Sequence, residues 1–440
     1  LYNIDIAKKI IDGTTTLFWF RRDLRLEDNA GLYYALRGNK NVLPVFIFDT
    51  VILDKLEDKA DRRITFIYES LDLLKQNLEN LGSSLLILYG NPIEIFTTLK
   101  PKAVYTNHDY EPYARVRDEA VKKILEGNNA SFHTFKDQVI FEKSEVTKDS
   151  GDPYTIFTPY SRKWKSLLNK FYLKSYPTEK YTSNFKTTQP LPPLSFGDIG
   201  FQKAAINFPA RIIKATIIAA YHLNRDFPSV NGTSRLSVHL RFGTVSIRTL
   251  ATIAKNKNET WLNELIWRDF YHMILWHFPQ VEKGCFKPAY NHIEWRNNAE
   301  EFEAWCEGRT GYPIVDAGMR ELNETGFMHN RVRMVTASFL TKHLLIDWKW
   351  GEAYFASKLL DFDMAANNGG WQWAAGCGCD AAPYFRVFNP ELQTQKFDNK
   401  QQYIKKWIAE IGSDRYPNAI VDHKFARERV LKVYKKALGK

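Results

Sequence analysis

Cysteine is scarce: four residues in 440, Cys285, Cys306, Cys377 and Cys379. That is too few for a disulfide scaffold, and no second close pair joins Cys377 and Cys379 to complete a zinc site. A reducing compartment fits. Long hydrophobic runs are also missing. No stretch approaches the roughly 18 uninterrupted apolar residues of a membrane span. Mean hydropathy is −0.39, and the opening LYNIDIAKKIIDG carries acids where a secretory leader would carry an apolar core. A soluble, untargeted, cytoplasmic protein is expected. There is no Gly-x-x-x-x-Gly-Lys string to cradle phosphates, no His-Glu-x-x-His, and no Ser/His/Asp arrangement above background. Hydrolytic and metal chemistry therefore lack support, and neither an internal repeat nor a low-complexity tract suggests an array or a tail.

Two features stand out against these absences. Lys plus Arg is 61 and Asp plus Glu is 50, so the net charge is +11, which favours a polyanionic partner, nucleic acid first. Aromatics make up 14%, and ten of the twelve tryptophans fall between Trp261 and Trp407, more indole than core filling by Leu, Ile and Val would call for.

From Thr14 onward, short apolar runs (LFWF, VLPVFIF, LLILYG, AVYTN) alternate with helical patterns, the signature of a doubly wound parallel sheet. The alternation fades near residue 137. The next stretch, to about Pro209, is rich in Lys, Ser, Thr, Tyr and Pro and reads as a long connection. From Ala210 strand signals nearly vanish. Apolar residues then recur at helical spacing, as in Ile314, Val315, Met319 and Leu322, with Pro313 suited to a first turn and Gly326 to a C-terminal cap. The expected architecture is a Rossmann-like α/β domain over 14–137, a linker over 138–209 and an all-helical domain over 210–435.

A Gly-x-Gly-x-x-Ala string at Gly376, Gly378 and Ala381 lies in the helical half and runs into Pro383, so it is not read as a dinucleotide fingerprint. The basic run FRRDLRLEDN (20–29) reads on its own as a solvated turn with a helix cap at Asp28 or Asn29. NGTSRLS places Thr233, Ser234 and Ser237 at the start of a helical region, where hydroxyls and free N–H groups either cap the helix or hold a phosphate. Glu264 and Trp267 are three apart and share a helix face, as do Asn330, Arg333 and Met334, with Arg331 off that face. The densest passage is Asp361 to Trp373. Two acids, three amides, two glycines and two tryptophans in thirteen residues are hard to explain as packing, because buried polar side chains must be satisfied.

Taken together, FWFRRDLRLEDN, NGTSRLS, NELIWRDFY, TGYPIVDAGMRELNETGFMHNRVRMVTASF, DWKWGEAYF, NNGGWQW and DAAPYFRVFNP, in this order, resemble the photolyase/cryptochrome family over nearly the whole chain. The resemblance is nearest to its class I cyclobutane pyrimidine dimer photolyases. It implies an α/β domain joined by a long connection to a helical domain holding FAD, and a monomer acting on UV-damaged DNA, nucleoid-associated if bacterial. Carried over by position, Tyr221, Thr233, Ser234, Leu236 and Ser237 would surround the flavin's phosphates. Trp261, Asn330, Arg333, Asp361, Asp363 and Asn367 would surround its ring and sugar, with Arg333 and Asp361 paired beside it and the Asn367 amide facing N5. Trp371, Trp348 and Trp295 match the family's electron-conducting tryptophans. Glu264, Trp267, Asn330, Arg331, Met334 and Trp373 match the pocket for a flipped-out dimer, with Arg225, Arg386 and Gln393 as strand contacts. Catalytic roles would fall to Glu264, Asn367 and Met334.

One departure concerns the antenna. Folate-binding members carry an Asn-Glu pair where NHDYEPYARVRD has Tyr113 and Ala114, which favours a deazaflavin or flavin nucleotide over folate as any second chromophore. Two relatives within the family remain as rivals: a cryptochrome photoreceptor, against which stand Asn367 and the intact dimer-pocket set, and a (6-4) photolyase, which would place a His at Met334.

Overall fold

The computed structural model describes residues 3–439. They form two compact units, and the chain, after leaving the first at Glu142, returns to it twice, for Leu168–Ile212 and Leu236–Ile253. The 138–209 stretch read as a linker is thus divided between the units, and it contains a helix.

The first unit is built on five parallel strands, β1 (Thr16–Phe20), β2 (Val42–Asp49), β3 (Leu86–Gly90), β4 (Ala103–Asn107) and β5 (Ser131–Phe135), in the order β3-β2-β1-β4-β5. Every residue of β1 and β2 is buried, as continuous apolar runs require when helices cover both faces of a sheet. The helices begin where caps allow. Asn29 Oδ1 accepts from Leu32 N at 3.1 Å to open α1 (Ala30–Gly38), Asp61 accepts from Arg63 N at 2.8 Å to open α2 (Arg62–Asn80), and Pro112 occupies the first turn of α3 (Pro112–Gly127).

The FRRDLRLEDN run is not the solvated turn its local composition suggests. Arg22, Asp23, Arg25, Asp28 and Asn29 are all buried, because their charges are neutralised by residues far along the chain. Arg21 bonds Asp118 at 2.6 Å, Arg22 reaches Asp109 at 3.2 Å and Glu111 at 3.0 Å, and Arg25 meets Asp137 at 2.7 Å. Arg248, on the last returning segment, completes the cluster with bonds of 2.8 Å to Asp28 and 2.7 Å to Asp137. Gly243 sits at φ +64 with its α-carbon so close to the chain that an added Cβ would lie 2.1 Å from the Arg22 carbonyl oxygen, so this crossing needs glycine.

The second unit is helical; apart from a single β-bridge between Thr147 and Pro153 its described residues form no strand. Its main helices are α4 (Phe157–Leu167), α5 (Glu259–His277), α6 (Pro313–Thr325), α7 (Asn330–Ser338), α8 (Trp348–Lys358), α9 (Met364–Ala375) and α10 (His423–Ala437). As the spacing anticipates, Pro313 opens α6, Gly326 closes it at φ +67, and Ile314, Val315, Met319 and Leu322 are fully buried. They pack in one core with Trp305, Phe339, Trp348, Trp371 and Tyr434. Among the described residues no helix is long and apolar enough to cross a membrane.

Burial alone would push the Asp137 carboxyl up, but the Arg25 and Arg248 guanidiniums outweigh it and hold the group below the usual carboxylate range. Its contribution to stability is therefore present above the unfolded-state value near pH 4 and is lost as pH falls through the lower folded value. Asp137→Asn is expected to cost about 3–5 kcal/mol by leaving two buried guanidiniums short of an anion. A urea titration of wild type and variant at neutral pH checks this; coincident midpoints would contradict it.

Candidate active site

The site is organised by α9. Asp363 caps it, its Oδ1 accepting from Ala366 N at 3.2 Å, and Gly376 ends it at φ +91, which accounts for the first glycine of the discarded Gly-x-Gly string. One side of the helix is fixed by amides. Gln372 Nε2 donates to Val281 O at 3.1 Å and Gly284 O at 3.1 Å, its Oε1 accepts from Phe286 N at 2.8 Å, and Asn368 Nδ2 donates to Val281 O at 3.0 Å. On another side Ala366 and Gly370, one turn apart, are exposed, and a Cβ built on Gly370 meets nothing within 4 Å.

Trp371 is buried with Phe355 at 4.9 Å and Trp305 at 6.0 Å, both edge-on. Gly351 makes its seat, since a Cβ there would come within 2.1 Å of the Trp371 ring. Trp348 lies in the same core, Trp295 packs against that core half-exposed, and Trp295 has Tyr434 edge-on at 6.1 Å. Trp373 turns the other way, half-buried, with Phe388 at 6.5 Å, as a two-residue offset on a helix requires. Trp305 is a neighbour that the motif reading missed.

Across from α9, Arg333 on α7 pairs with Asp361 at 2.9 Å and donates Nε to the Met328 carbonyl at 2.8 Å. Asn367 Nδ2 donates to Glu352 O at 3.2 Å, and Asp363 Oδ2 lies 3.5 Å from His272 Nε2. Asn330 is exposed at the head of α7 and Trp261 buried at the head of α5. Buried His329 caps α7 through Nδ1, while its Nε2 has no hydrogen-bond partner; burial, then Arg331 and Arg333, push its pKa down to about 4. Thr233 and Ser234 are half-buried in the second unit. Leu236 and Ser237 belong to the first, where Ser237 starts a helix of five residues that has no side-chain cap.

The expected lesion and strand residues form a connected polar group. Glu264 on α5 is held by Arg225 at 2.6 Å and by the Tyr221 hydroxyl, and burial raises its pKa despite Arg225. Tyr221, expected near phosphates, is thus bonded to the carboxylate in this structure. Arg331, expected off the Met334 face, nevertheless reaches back to Met334 Sδ at 3.8 Å, pairs with Asp226 at 2.6 Å and lies over the Phe397 ring at 4.4 Å. Trp267 has one face covered by Phe157, parallel at 3.7 Å, and Tyr271 close by at 5.4 Å. Gly369 makes room for Tyr271, whose ring would lie 2.2 Å from an added Cβ. Phe157, Tyr271 and Glu352 had no sequence signal beyond being aromatic or acidic. Arg386 is exposed beyond the turn at Pro383, and Gln393 half-exposed on Pro390–Phe397.

Two family models match the chain: residues 16–180 that of DNA photolyase, and residues 261–414 that of the FAD binding domain of DNA photolyase. A deoxyribodipyrimidine photo-lyase from Synechococcus is 36% identical, covering 95% of this chain and 96% of its own. A class III photolyase from Agrobacterium tumefaciens superposes with a TM-score of 0.85 at 30% identity, over 98% of this chain and 99% of its own. An archaeal photolyase from Sulfolobus tokodaii, solved with two FAD molecules, has a TM-score of 0.82 at 35% identity, over 96% and 100%.

The residues present suit an FAD. The open Ala366–Gly370 face offers a flat, uncrowded floor, the Arg333–Asp361 pair a fixed charge couple, and the unpartnered His329 Nε2 a polar contact.

Glu352 on α8, half-buried and accepting from Asn368 Nδ2, has its pKa raised to about 7, chiefly by loss of solvent around it. Below the unfolded value near 4.3 the group is protonated in both states and neutral to stability; as pH climbs to about 7 the folded state keeps a proton the unfolded state has lost, and stability falls. Glu352→Gln is therefore expected to flatten this decline, gaining about 1–3 kcal/mol at pH 8. Denaturant midpoints measured from pH 5 to 8 check it; parallel curves would contradict it.

Proposed function

The chain belongs to the DNA photolyase family, and we infer that it is a deoxyribodipyrimidine photo-lyase, a carbon–carbon lyase that uses light to split cyclobutane pyrimidine dimers in DNA. The observation supporting this reading most directly is the contiguous set Tyr221, Arg225, Glu264, Arg331 and Met334, with a thioether at the position where (6-4) repair would need an imidazole. FAD held in its reduced state by these residues would supply light-driven one-electron chemistry that is redox-neutral over the whole repair cycle.

The chain's own residues hold and orient. We assign Tyr221, Thr233, Ser234, Leu236 and Ser237 to the cofactor's phosphates and Trp261, Asn330, Arg333, Asp361, Asp363 and Asn367 to its ring and sugar. The Asn367 amide is suited to hold a hydrogen bond at N5 in reduced states. Trp371, Trp348 and Trp295 carry electrons inward during activation. Trp373 and the free face of Trp267 give a flipped-out dimer stacking surface of roughly 1–3 kcal/mol per base without reading sequence. The Glu264 carboxyl hydrogen-bonds the pyrimidine carbonyls and stabilises them as negative charge builds, and Met334 packs against the dimer. Arg225, Arg331, Arg386 and Gln393 meet the strand. For a second chromophore, a deazaflavin or flavin nucleotide is favoured over folate, since the Tyr113 hydroxyl is committed to Asp49 at 2.7 Å and Ala114 has no polar group. Four free cysteines suit a reducing compartment such as the cytoplasm, where the chain would act as a monomer, nucleoid-associated if bacterial.

With an external reductant, blue light should convert bound oxidised FAD to the reduced form, and Trp371→Phe should slow this greatly at unchanged FAD content. Absorption at the flavin bands follows both; equal rates would remove Trp371 from the route.

Glu264→Ala should lower repair yield per photon while FAD stays bound and lesion binding weakens modestly. The reduced enzyme is illuminated with oligonucleotides carrying one lesion type each and the products are separated by chromatography. Restoration of the (6-4) lesion with the cyclobutane dimer left intact would overturn the substrate assignment, and repair of neither would favour a photoreceptor.

A further inference from the structure

The turn that leads out of the short helix Tyr221–Asn224 is tightly folded. Arg225 N donates to Tyr221 O at 2.9 Å, Phe227 N to Asn224 O at 3.1 Å and Val230 N to Phe227 O at 3.1 Å, and Gly232 packs so closely on Asn224 that an added Cβ would lie 2.4 Å from the Asn224 Cβ. This fixes Arg225 and Asp226 within reach of Glu264 on α5 and Arg331 on α7, all in the second unit. The four side chains alternate in charge. Glu264 Oε1 accepts from Arg225 Nη1 at 2.6 Å, Arg225 Nε lies 3.7 Å from Asp226 Oδ1, and the same Oδ1 accepts from Arg331 Nη2 at 2.6 Å. Two cations and two anions cancel, so on a chain of net charge +11 this part of the expected lesion pocket carries no net charge from them. Glu264, Arg225 and Arg331 have roles in lesion and strand binding; Asp226 has none. Arg331 is held on three sides, by Asp226, by Met334 Sδ at 3.8 Å from Nη1 and by the Phe397 ring at 4.4 Å, while its Nε has no hydrogen-bond partner among the described residues. The Asp226 side chain is 38% exposed and that of Arg331 18%; an ion pair so open to water is weak enough to be exchanged for another anion.

We propose that Asp226 is a specificity residue: it stands in for a phosphate, holding Arg331 in the lesion pocket so that an undamaged strand finds no free cation there. The proposal rests on the lesion-pocket assignment made above. A guanidinium has five N–H donors, so a phosphate brought into the pocket beside a flipped-out dimer is met by spare donors of Arg331 with Asp226 still bonded. A phosphate of a stacked duplex stays outside, and Arg331 reaches it only by leaving Asp226 and the Phe397 ring. The carboxylate thus adds a cost to undamaged DNA that the lesion does not incur, and a repulsive element of this kind sharpens selectivity. Asp226 acts through Arg331 and is assigned no contact with flavin or dimer, which makes it a positioning residue.

The test measures binding of FAD-loaded protein, in the dark and over a range of salt, to two duplex oligonucleotides of one sequence, with and without a single cyclobutane dimer. Asp226→Asn should tighten binding to the undamaged duplex by about 3–10-fold and steepen its salt dependence by roughly 0.9, the worth of one more phosphate contact, with dimer binding little changed. The ratio of the two affinities therefore falls. Asp226→Glu keeps a carboxylate and should restore wild-type discrimination. Asp414→Asn, which removes the same charge from an exposed position of the second unit, should leave discrimination as in wild type. A merely structural loss at Asp226 would weaken binding to both duplexes, so tighter binding to the undamaged one separates the two roles. Undamaged DNA bound no better by Asp226→Asn than by wild type, weaker dimer binding as the sole effect, or an equal gain from Asp414→Asn would each overturn the proposal. A wild type indifferent to the dimer would overturn the lesion-pocket assignment itself, and the proposal with it.

Discussion

The arrangement of the second unit hangs on one fully employed side chain, Gln372. Buried at 2% exposure, it donates to two carbonyls of the 281–284 turn and accepts from Phe286 N, so a single amide locks that turn to α9. An amide whose donors and acceptor are all used in a low-dielectric interior is rigid, because any rotation leaves polar atoms unpaired. With the turn locked, the rotation of α9 about its axis is set. Trp371 then faces the Gly351 seat, Trp373 faces away, and the small residues Ala366 and Gly370 remain uncovered. Both tryptophans and the uncovered face inherit their positions from it.

The first unit solves a different problem, how to bury a run of arginines. The cost of desolvating a guanidinium is several kcal/mol and is offset only where an anion meets it with good geometry. Here the anions come from just past β4, from α3 and from the second residue after β5, which places the charge cluster where the strand order reverses. In open α/β sheets that reversal is where the ends of the strands leave a crevice. Here arginines and acids that hold one another occupy it, and Tyr113 and Asp49 lie at its edge.

Much of this was legible in the sequence because the signals were local. Continuous apolar runs separated by amphipathic stretches mark the parallel strands, and Pro313 and Gly326 mark the ends of α6. The crowding of polar groups between Asp361 and Trp373 is shared out among several partners: Asn368 and Gln372 serve the turn beside them, Asp361 pairs with Arg333, Asp363 caps α9 and Asn367 donates to Glu352 O. What was not legible depends on pairs far apart in the chain. FRRDLRLEDN looks solvated because Asp109, Glu111, Asp118 and Asp137 are nowhere near it in sequence. Phe157 over Trp267 and Arg225 on Glu264 have no local pattern at all.

The two returns of the chain to the first unit have a consequence for how the protein is made. A ribosome delivers residues in order, and domains generally fold as units as they emerge. Here the five strands are complete by Phe135, yet Arg248, which pairs with Asp28 and is the second cation for Asp137, arrives more than a hundred residues later, on Leu236–Ile253. Until then Asp137 has Arg25 alone and Asp28 lacks its Arg248 partner. The nascent first unit must therefore wait, loosely formed, while parts of the second are already outside the exit tunnel.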